Sequence, residues 1–415
     1  MESKVMDLDR SKNCDGRNYS GCTIVSKNYF AYALTLRNSF LKNHPDGAFH
    51  ILIVDTKDET FKVDDGVAIT WVEDLNIPNF TSYAIRYDIL ELNTNVKPTF
   101  LLMLLEKYKK VTYIDPDIKI FCPLDIIFDR LNDHSIVLTP HIVSPIIDSM
   151  KPGEVDFLIN GQFNLGFIGV NDSEQAIEML RWWQARCLEQ GYNEPAQGLF
   201  VDQKWINLVP CIFSGVYIEK SLGCNMAYWN LHERLLGQKD NEWVVNATEP
   251  LYFFHFSGLL LNEENDISKY QNRFDLVQRP DLKIIFAAYR QELRDNGHLK
   301  FQKIKYGFAT FSDGKYISSV SRRLYRISEF PITRDNPFLV GSEFYKFCKS
   351  NNLFANPSGA KSYNSYNTNH NDIRLKIIRY GMKIAFLLLG VEKYQLLLKY
   401  MIYIASIRNQ RDIFK

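Results

Sequence analysis

Several features that would have assigned the chain to a class at once are missing from its 415 residues. Near the apolar C-terminus the longest uncharged runs, Ile384 to Val391 and Tyr400 to Ile407, fall far short of the roughly 20 residues a membrane-spanning helix needs. The seven cysteines are odd in number and scattered, with no CxxC spacing. This excludes a zinc ribbon and a disulfide framework and predicts a reducing, cytoplasmic setting. Charge of one sign is missing too: 49 Lys and Arg face 48 Asp and Glu, so no net field draws the chain to nucleic acid. The opening "MESKVMDLDRSKNCDGRNYSG" lacks the apolar core of a signal peptide. Secretion is not expected, and the sequon at Asn246 should stay idle. No internal repeat is present.

Aromatic residues, by contrast, are plentiful at 14%. They suit a carbohydrate surface and a thick core equally well. From Cys22 the chain alternates strand-like and helix-like stretches. "CTIV" reads as a buried strand, and "NYFAYALTLRNSFLKNHP" as a helix with Tyr29, Ala33, Leu36, Phe40 and Leu41 near helical spacing. "FHILIVD" is a second strand. "TNVKPTFLLMLLEKYKK" is a helix with Pro98 near its start, and "VTYIDPD" a third strand. This alternation predicts an α/β fold with a mostly parallel sheet wrapped by helices. Ligands in such sheets bind beyond the carboxyl ends of strands, where Asp55, Asp115 and Asp117 fall.

The expected organisation is a polar tail over 1–20, a catalytic domain over 21–260, a helical extension over 261–348 and an Asn/Ser-rich linker over 349–372. Basic amphipathic helices over 373–415 complete it. Residues 371–415 carry nine Lys and Arg against three Asp and Glu, a net of +6, while the rest of the chain is mildly acidic. Such a tail fits an anionic membrane interface, or a helical pair packed on protein.

Asp115 and Asp117 flank Pro116 where a strand-forming run ends. The D-x-D spacing alone decides nothing, since Asp7 and Asp9 share it in the polar tail. Context separates the two copies: "VTYI" delivers the second to a strand edge, and "IKIF" resumes the apolar pattern at once. Two close carboxylates need a cation, and Mg²⁺ or Mn²⁺ with oxygen ligands is the simplest; a solvated turn is the plain alternative. In "NGQFNLGFIGV" Asn164 and Gly166 sit within an apolar run, as a buried amide with partners or as a bulge. In "GLFVDQKWINLV" Asp202 is a helix cap or a site carboxylate, followed by Gln203. In "LYFFHFSG" His255 lies among phenylalanines, as a core residue or a ligand.

In this order the stretches resemble the GT-A fold glycosyltransferases that use nucleotide-sugar donors, in particular the retaining galactosyltransferase and glycogenin-like group. The resemblance runs from about Thr23 to Gly258. "IVSKNYFAYALTLRNSFLKNHP" is similar to that group's nucleotide-cradling strand and helix, and "YIDPDIKIF" to its metal-binding D-x-D. "FNLGFIGVN" is similar to its acceptor-side strand, "VDQKWIN" to its Asp-Gln segment, and "HFSG" to its metal-binding histidine.

The resemblance implies Asp115, Asp117 and His255 as ligands of Mn²⁺ or Mg²⁺. It implies Ser26, Asn28 and Tyr29 around base and ribose, and Lys97 near the phosphates and sugar. Asn164, Asp202 and Gln203 would line the reaction centre, with Gln203 beneath the anomeric carbon. The group's Lys-Pro after the histidine motif is replaced here by "LLLN", so phosphate contact is expected from Lys97 or Arg86; Asp115 also counts among the donor-binding residues. The implied partners are a nucleotide-sugar donor and a glycan or lipid-linked acceptor, with no nucleic acid, and a bacterial surface glycan under assembly is the expected product. The loop "GCNMAYWNLHER" (223–234) reads either as sugar-facing or as anchored on the sheet by its Trp. A haloacid dehalogenase-type phosphotransferase, with Asp115 as nucleophile, and a non-catalytic carbohydrate-binding protein are the alternatives.

Overall fold

The computed structural model describes residues 18–328, 330, 335–355, 373–410 and 413–414. Its chain divides into two compact units, one formed by residues up to Pro78 and Ile89–Gly307, the other by Asn79–Asp88 and the chain from Phe308 onward. The tail expected over 1–20 lies outside the described residues up to 17, as does 356–372 of the expected linker.

The first unit is built on a seven-stranded sheet. Its strands are β1 (Tyr19–Val25), β2 (Ala48–Ile53), β3 (Ala68–Trp71), β4 (Lys110–Ile114), β6 (Ile136–Pro140), β7 (Phe163–Asn171) and the edge strand Val216–Ile218, with β5 (Ile118–Ile120) outside it. In space the order runs Val216–Ile218, β6, β7, β4, β1, β2, β3. Only β7 pairs antiparallel to its neighbours, so the mostly parallel mixed sheet expected from the alternation is what forms. Helix α1 (Phe30–Asn43) connects β1 and β2 and buries Phe30, Ala33, Leu36 and Phe40 against the sheet. The edge strand β3 is only four residues long and none of them is buried, and it is not apparent from the alternation.

A second, three-stranded sheet places β5 beside Phe253–His255, which in turn pairs with Met226–Ala227. In that ladder His255 lies opposite Ile118. Beneath it the helix Lys283–Asp295 buries Ile285, Phe286, Tyr289 and Leu293, a stripe at helical spacing. Phe256 stacks on Tyr289 at 3.9 Å between ring centroids. Residues 261–307, grouped by their charge with the helical extension, therefore pack with the sheet: the charges lie on the outer face of an amphipathic helix.

In the second unit the helix Ser319–Ile327 carries Arg322, whose guanidinium donates to the carbonyls of Tyr87 (2.7 Å) and Phe308. The start of the expected linker is structured here: Lys349 and Ser350 close the helix Glu343–Ser350, and Phe354–Ala355 pairs with Tyr316–Ile317. The segment Ile373–Ala405 is helical on both sides of Gly390, which has a non-helical backbone (φ 72°). Leu387, Leu388 and Ile402 along it are exposed. Among the described residues no helix is long and apolar enough to cross a membrane.

Candidate active site

Strand β4 ends opposite β7, pairing Ile114 with Phe167, and the next backbone N–H, that of Asp115, donates to the Gly166 carbonyl at 2.7 Å. Asp115 is thus fixed at the sheet edge, and Pro116 turns the chain into β5. Since β5 pairs with Phe253–His255, the imidazole of His255 is brought back over the two carboxylates. Its Nε2 lies 2.9 Å from Asp117 Oδ1 and 3.8 Å from Asp115 Oδ2. One ligand atom from each of the three side chains lies within 4.8 Å of the others, the only such group among the described residues.

Gly166 makes this approach possible. A Cβ there would come within 2.5 Å of His255 Cε1 and 2.9 Å of Asp115 Oδ2. Burial pushes the carboxyl of Asp115 up, against the pull of Lys97 and His255. Burial presses His255 down, but Asp117 and Asp115 outweigh it and hold the imidazole above its ordinary value. A divalent cation held between them would neutralise both acids. The two carboxylate oxygens are ligands of the kind Mn²⁺ and Mg²⁺ take, with the imidazole nitrogen as a third donor beside them.

Beside the trio runs a buried polar network. Lys97 opens the helix Lys97–Leu105, and its ammonium reaches Asp202 Oδ2 at 2.6 Å, the Leu165 carbonyl at 2.8 Å and the face of Tyr113 at 4.1 Å. The Tyr113 hydroxyl donates to Asp115 Oδ1 at 2.6 Å. Lys97 is 1% exposed, so its charge serves Asp202 in this structure. Asp202 makes no side-chain cap bond, although it precedes the helix Gln203–Ile206. Val201, just before it, has φ 42°, a left-handed conformation costly for a β-branched residue and the kind of strain found where side chains must be aimed. Gln203 accepts from the Leu165 N–H at 3.0 Å and donates to the Asn160 carbonyl at 3.1 Å. Asn164, on β7, accepts from His255 Nδ1 at 3.2 Å.

Ser26, Asn28 and Tyr29 follow β1. The Ser26 hydroxyl donates to Asn28 Oδ1 at 2.6 Å, and Tyr29 stacks on Tyr32 at 4.1 Å. The Tyr32 phenol is pushed up to about 12, by burial first and then by the charge of Asp117, which places this aromatic pair within electrostatic reach of the trio. The structure thus gathers Asp115, Asp117, His255, Asn164, Lys97, Asp202 and Gln203, with Tyr29 alongside. Arg86 lies in the segment Asn79–Asp88 of the other unit.

Four members of the network have no role assigned from sequence: Tyr113, Thr139, His141 and Asn225. Burial lowers His141 to about 4, so it stands neutral beside Asn164. The 223–234 loop packs inward. Trp229, 3% exposed, sets its ring edge-on to His255 at 5.1 Å.

No family model matches the chain. It is 27% identical over 282 residues to the uncharacterized protein YfnF of Bacillus subtilis (strain 168), covering 66% of this chain and 90% of that one. It is also 27% identical over 300 residues to the uncharacterized protein YfnD of the same organism, covering 70% and 93%. Among solved structures it is similar to the galactosyltransferase LgtC in complex with donor and acceptor sugar analogs, at 16% identity and a TM-score of 0.39 over 66% of this chain and 95% of that one. The glycosyltransferase GlyE of Streptococcus pneumoniae TIGR4 overlaps at 12% identity and a TM-score of 0.41, over 71% and 67%. Both of these solved neighbours are glycosyltransferases.

Proposed function

We propose that the chain is a metal-dependent glycosyltransferase, moving a sugar from a nucleotide-sugar donor to a glycan or lipid-linked glycan acceptor with retention of configuration. The observation that carries this reading is the convergence of Asp115, Asp117 and His255 from two separate strands, with Asp202 and Gln203 beside them. A phosphotransferase using Asp115 as nucleophile has no need of His255 across both carboxylates, and a binding module has no need of the trio at all.

Asp115, Asp117 and His255 would hold Mn²⁺ or Mg²⁺. When bound, such an ion supplies Lewis acidity to the departing diphosphate. The protein's own part is orientation and charge. Lys97 holds the Asp202 carboxylate in place to take donor-sugar hydroxyls. Gln203, an amide, cannot serve as a general base. Its oxygen has already accepted one N–H, from Leu165, and keeps one lone pair with which to stabilise positive charge at the anomeric carbon. With no base required of Gln203, the acceptor proton goes to the donor's phosphate on the front face, which preserves configuration.

Incubation with a panel of nucleotide sugars and Mn²⁺ should show turnover of one of them, and an α-linked donor should give an α-linked product by NMR. A β-linked product would remove the roles given to Asp202 and Gln203, and turnover of phosphate monoesters alone would favour the phosphotransferase.

The exposed apolar side chains of Ile373–Ala405, interleaved with Arg374, Lys376, Arg379, Lys383, Lys393 and Lys399, support a peripheral site on an anionic, cytoplasmic membrane face. Full-length protein should sediment with anionic liposomes. If a chain ending at Cys348 sediments equally well, this segment is not the anchor.

A further inference from the structure

Asn164 was expected among the residues that touch the sugar, yet its side-chain oxygen is already engaged. Oδ1 accepts from His255 Nδ1 at 3.2 Å and from Asn225 Nδ2 at 3.1 Å, which uses both lone pairs. With Asn225 Nδ2 shared between Thr139 Oγ1 and Asn164 Oδ1, it is the oxygen of the Asn164 amide that faces Asn225 and His255. Its own Nδ2 points to His141 Nε2 at 3.5 Å, and the neutral His141 is fixed in turn by the Gln162 carbonyl, 3.2 Å from its Nδ1.

Asn225 is built into the fold just as firmly. It is fully buried and holds φ 58°, a conformation asparagine tolerates better than most residues. Its Nδ2 also donates to Thr139 Oγ1 at 3.1 Å, and its carbonyl accepts from Asn230 Nδ2 at 2.9 Å.

We propose that Asn164 and Asn225 form an amide relay that orients His255, so that Nδ1 carries a proton into Asn164 and Nε2 faces Asp115 and Asp117. Both are positioning residues of the cation site, and Asn164 is not a sugar ligand. The relay ties the floor of the site to Thr139 at the end of β6 and to the 223–234 loop. A polar loop with its tryptophan buried over His255 is thereby accounted for. An outer-shell acceptor that fixes the tautomer of a ligating histidine typically contributes 10- to 100-fold in metal affinity. The proposal rests on the metal reading of the trio.

The test uses the full chain, with Mn²⁺ as probe, and free Mn²⁺ measured by EPR. Asn164→Leu and Asn225→Gly, the latter keeping the left-handed backbone without strain, should weaken Mn²⁺ binding by about 10- to 100-fold. Asn164→Asp keeps the acceptor and should stay within a few-fold of the parent. A sugar-contacting Asn164 would leave all three unchanged, and that result overturns the relay.

Imidazole ¹H–¹⁵N NMR of metal-free protein, recorded on the acid side of the His255 titration where both ring nitrogens carry protons, gives a separate readout. The parent should show an Nδ1–H protected from solvent exchange, and Asn164→Leu should lose that protection; an unmoved Nδ1–H overturns the relay as well. A parent that binds no Mn²⁺ yet shows the protected Nδ1–H only while Asn164 is present would remove the metal reading and uphold the orientation.

Discussion

Asp55 and Asp115 stand in closely similar places, and the difference between them separates a structural carboxylate from one proposed to hold a cation. Both follow parallel strands that flank β1, and both are preceded by apolar strand sequence. Asp55 is fully buried and its oxygens are met by the backbone: the N–H groups of Thr56 and Gly307 at 2.8 Å each, that of Lys27 at 3.3 Å, and the Lys27 ammonium at 3.8 Å. Its charge is answered inside the fold. Asp115 is held by the Tyr113 hydroxyl and faces Asp117 and His255; Lys97 pulls on it too, but the Lys97 ammonium is itself paired with Asp202. Two carboxylates that share one imidazole, where Asp55 has a ring of backbone donors, are where a cation and a phosphorylated substrate would be used.

The strongest way to break this comparison is to remove a ligand. Asp117→Asn and His255→Ala should each cut transfer by roughly 10³-fold or more while the protein stays folded, because water cannot replace a positioned ligand at equal affinity. Circular dichroism and turnover measured side by side check both halves. Near-normal turnover of either variant in chelator-treated buffer would dissolve the distinction between the two aspartates.

The converse change sharpens it. Asp55→Ala leaves three N–H donors without their acceptor in a buried place, while the Lys27 ammonium keeps the Thr56 carbonyl and Asp58; the loss should cost about 3–5 kcal/mol of stability. Denaturant unfolding reads that loss. The molecules that remain folded should bind Mn²⁺ as the parent does, and a lowered metal affinity at unchanged stability would mean that Asp55 belongs to the site.

Both aspartates were visible in the sequence for the same reason: a charged residue straight after an apolar strand is conspicuous at any distance from its partners. What told them apart was not. Lys27, Thr56 and Gly307 answer Asp55 from near and far along the chain, and no spacing announces that three backbone N–H groups converge there. Asp115, Asp117, Asn164, Gln203 and His255 drew attention because each interrupts apolar sequence or follows a strand. Asn225, His141 and Thr139 look like ordinary polar residues until β6, β7 and the 223–234 loop are brought together. Lys97 was legible as a cation, but its pairing with Asp202 depends on a turn strained at Val201. The expected boundary near 260 follows the point where strand and helix stop alternating, yet the helix Lys283–Asp295 beyond it packs an apolar stripe under Phe254 and Phe256.

The smallest effects come from the glycines that let the chain close on each carboxylate. A Cβ on Gly307 would lie 2.8 Å from Asp55 Oδ1 and 2.1 Å from Thr56 Oγ1, and one on Gly166 would lie 2.9 Å from Asp115 Oδ2 and 2.5 Å from His255 Cε1. Either alanine forces neighbours to shift, at a cost of about 1–3 kcal/mol. The two losses should nevertheless read differently. At Gly307 the methyl disturbs a carboxylate whose work is done by folding, so Gly307→Ala should lower the unfolding midpoint and leave Mn²⁺ affinity unchanged. At Gly166 it pushes apart the imidazole and the carboxylate proposed to share one ion, so Gly166→Ala should lose affinity, by about tenfold on outer-shell precedent, in addition to stability. Equal affinity losses in the two variants would show that the sites respond to packing alone, and the contrast between Asp55 and Asp115 would then have no chemical content.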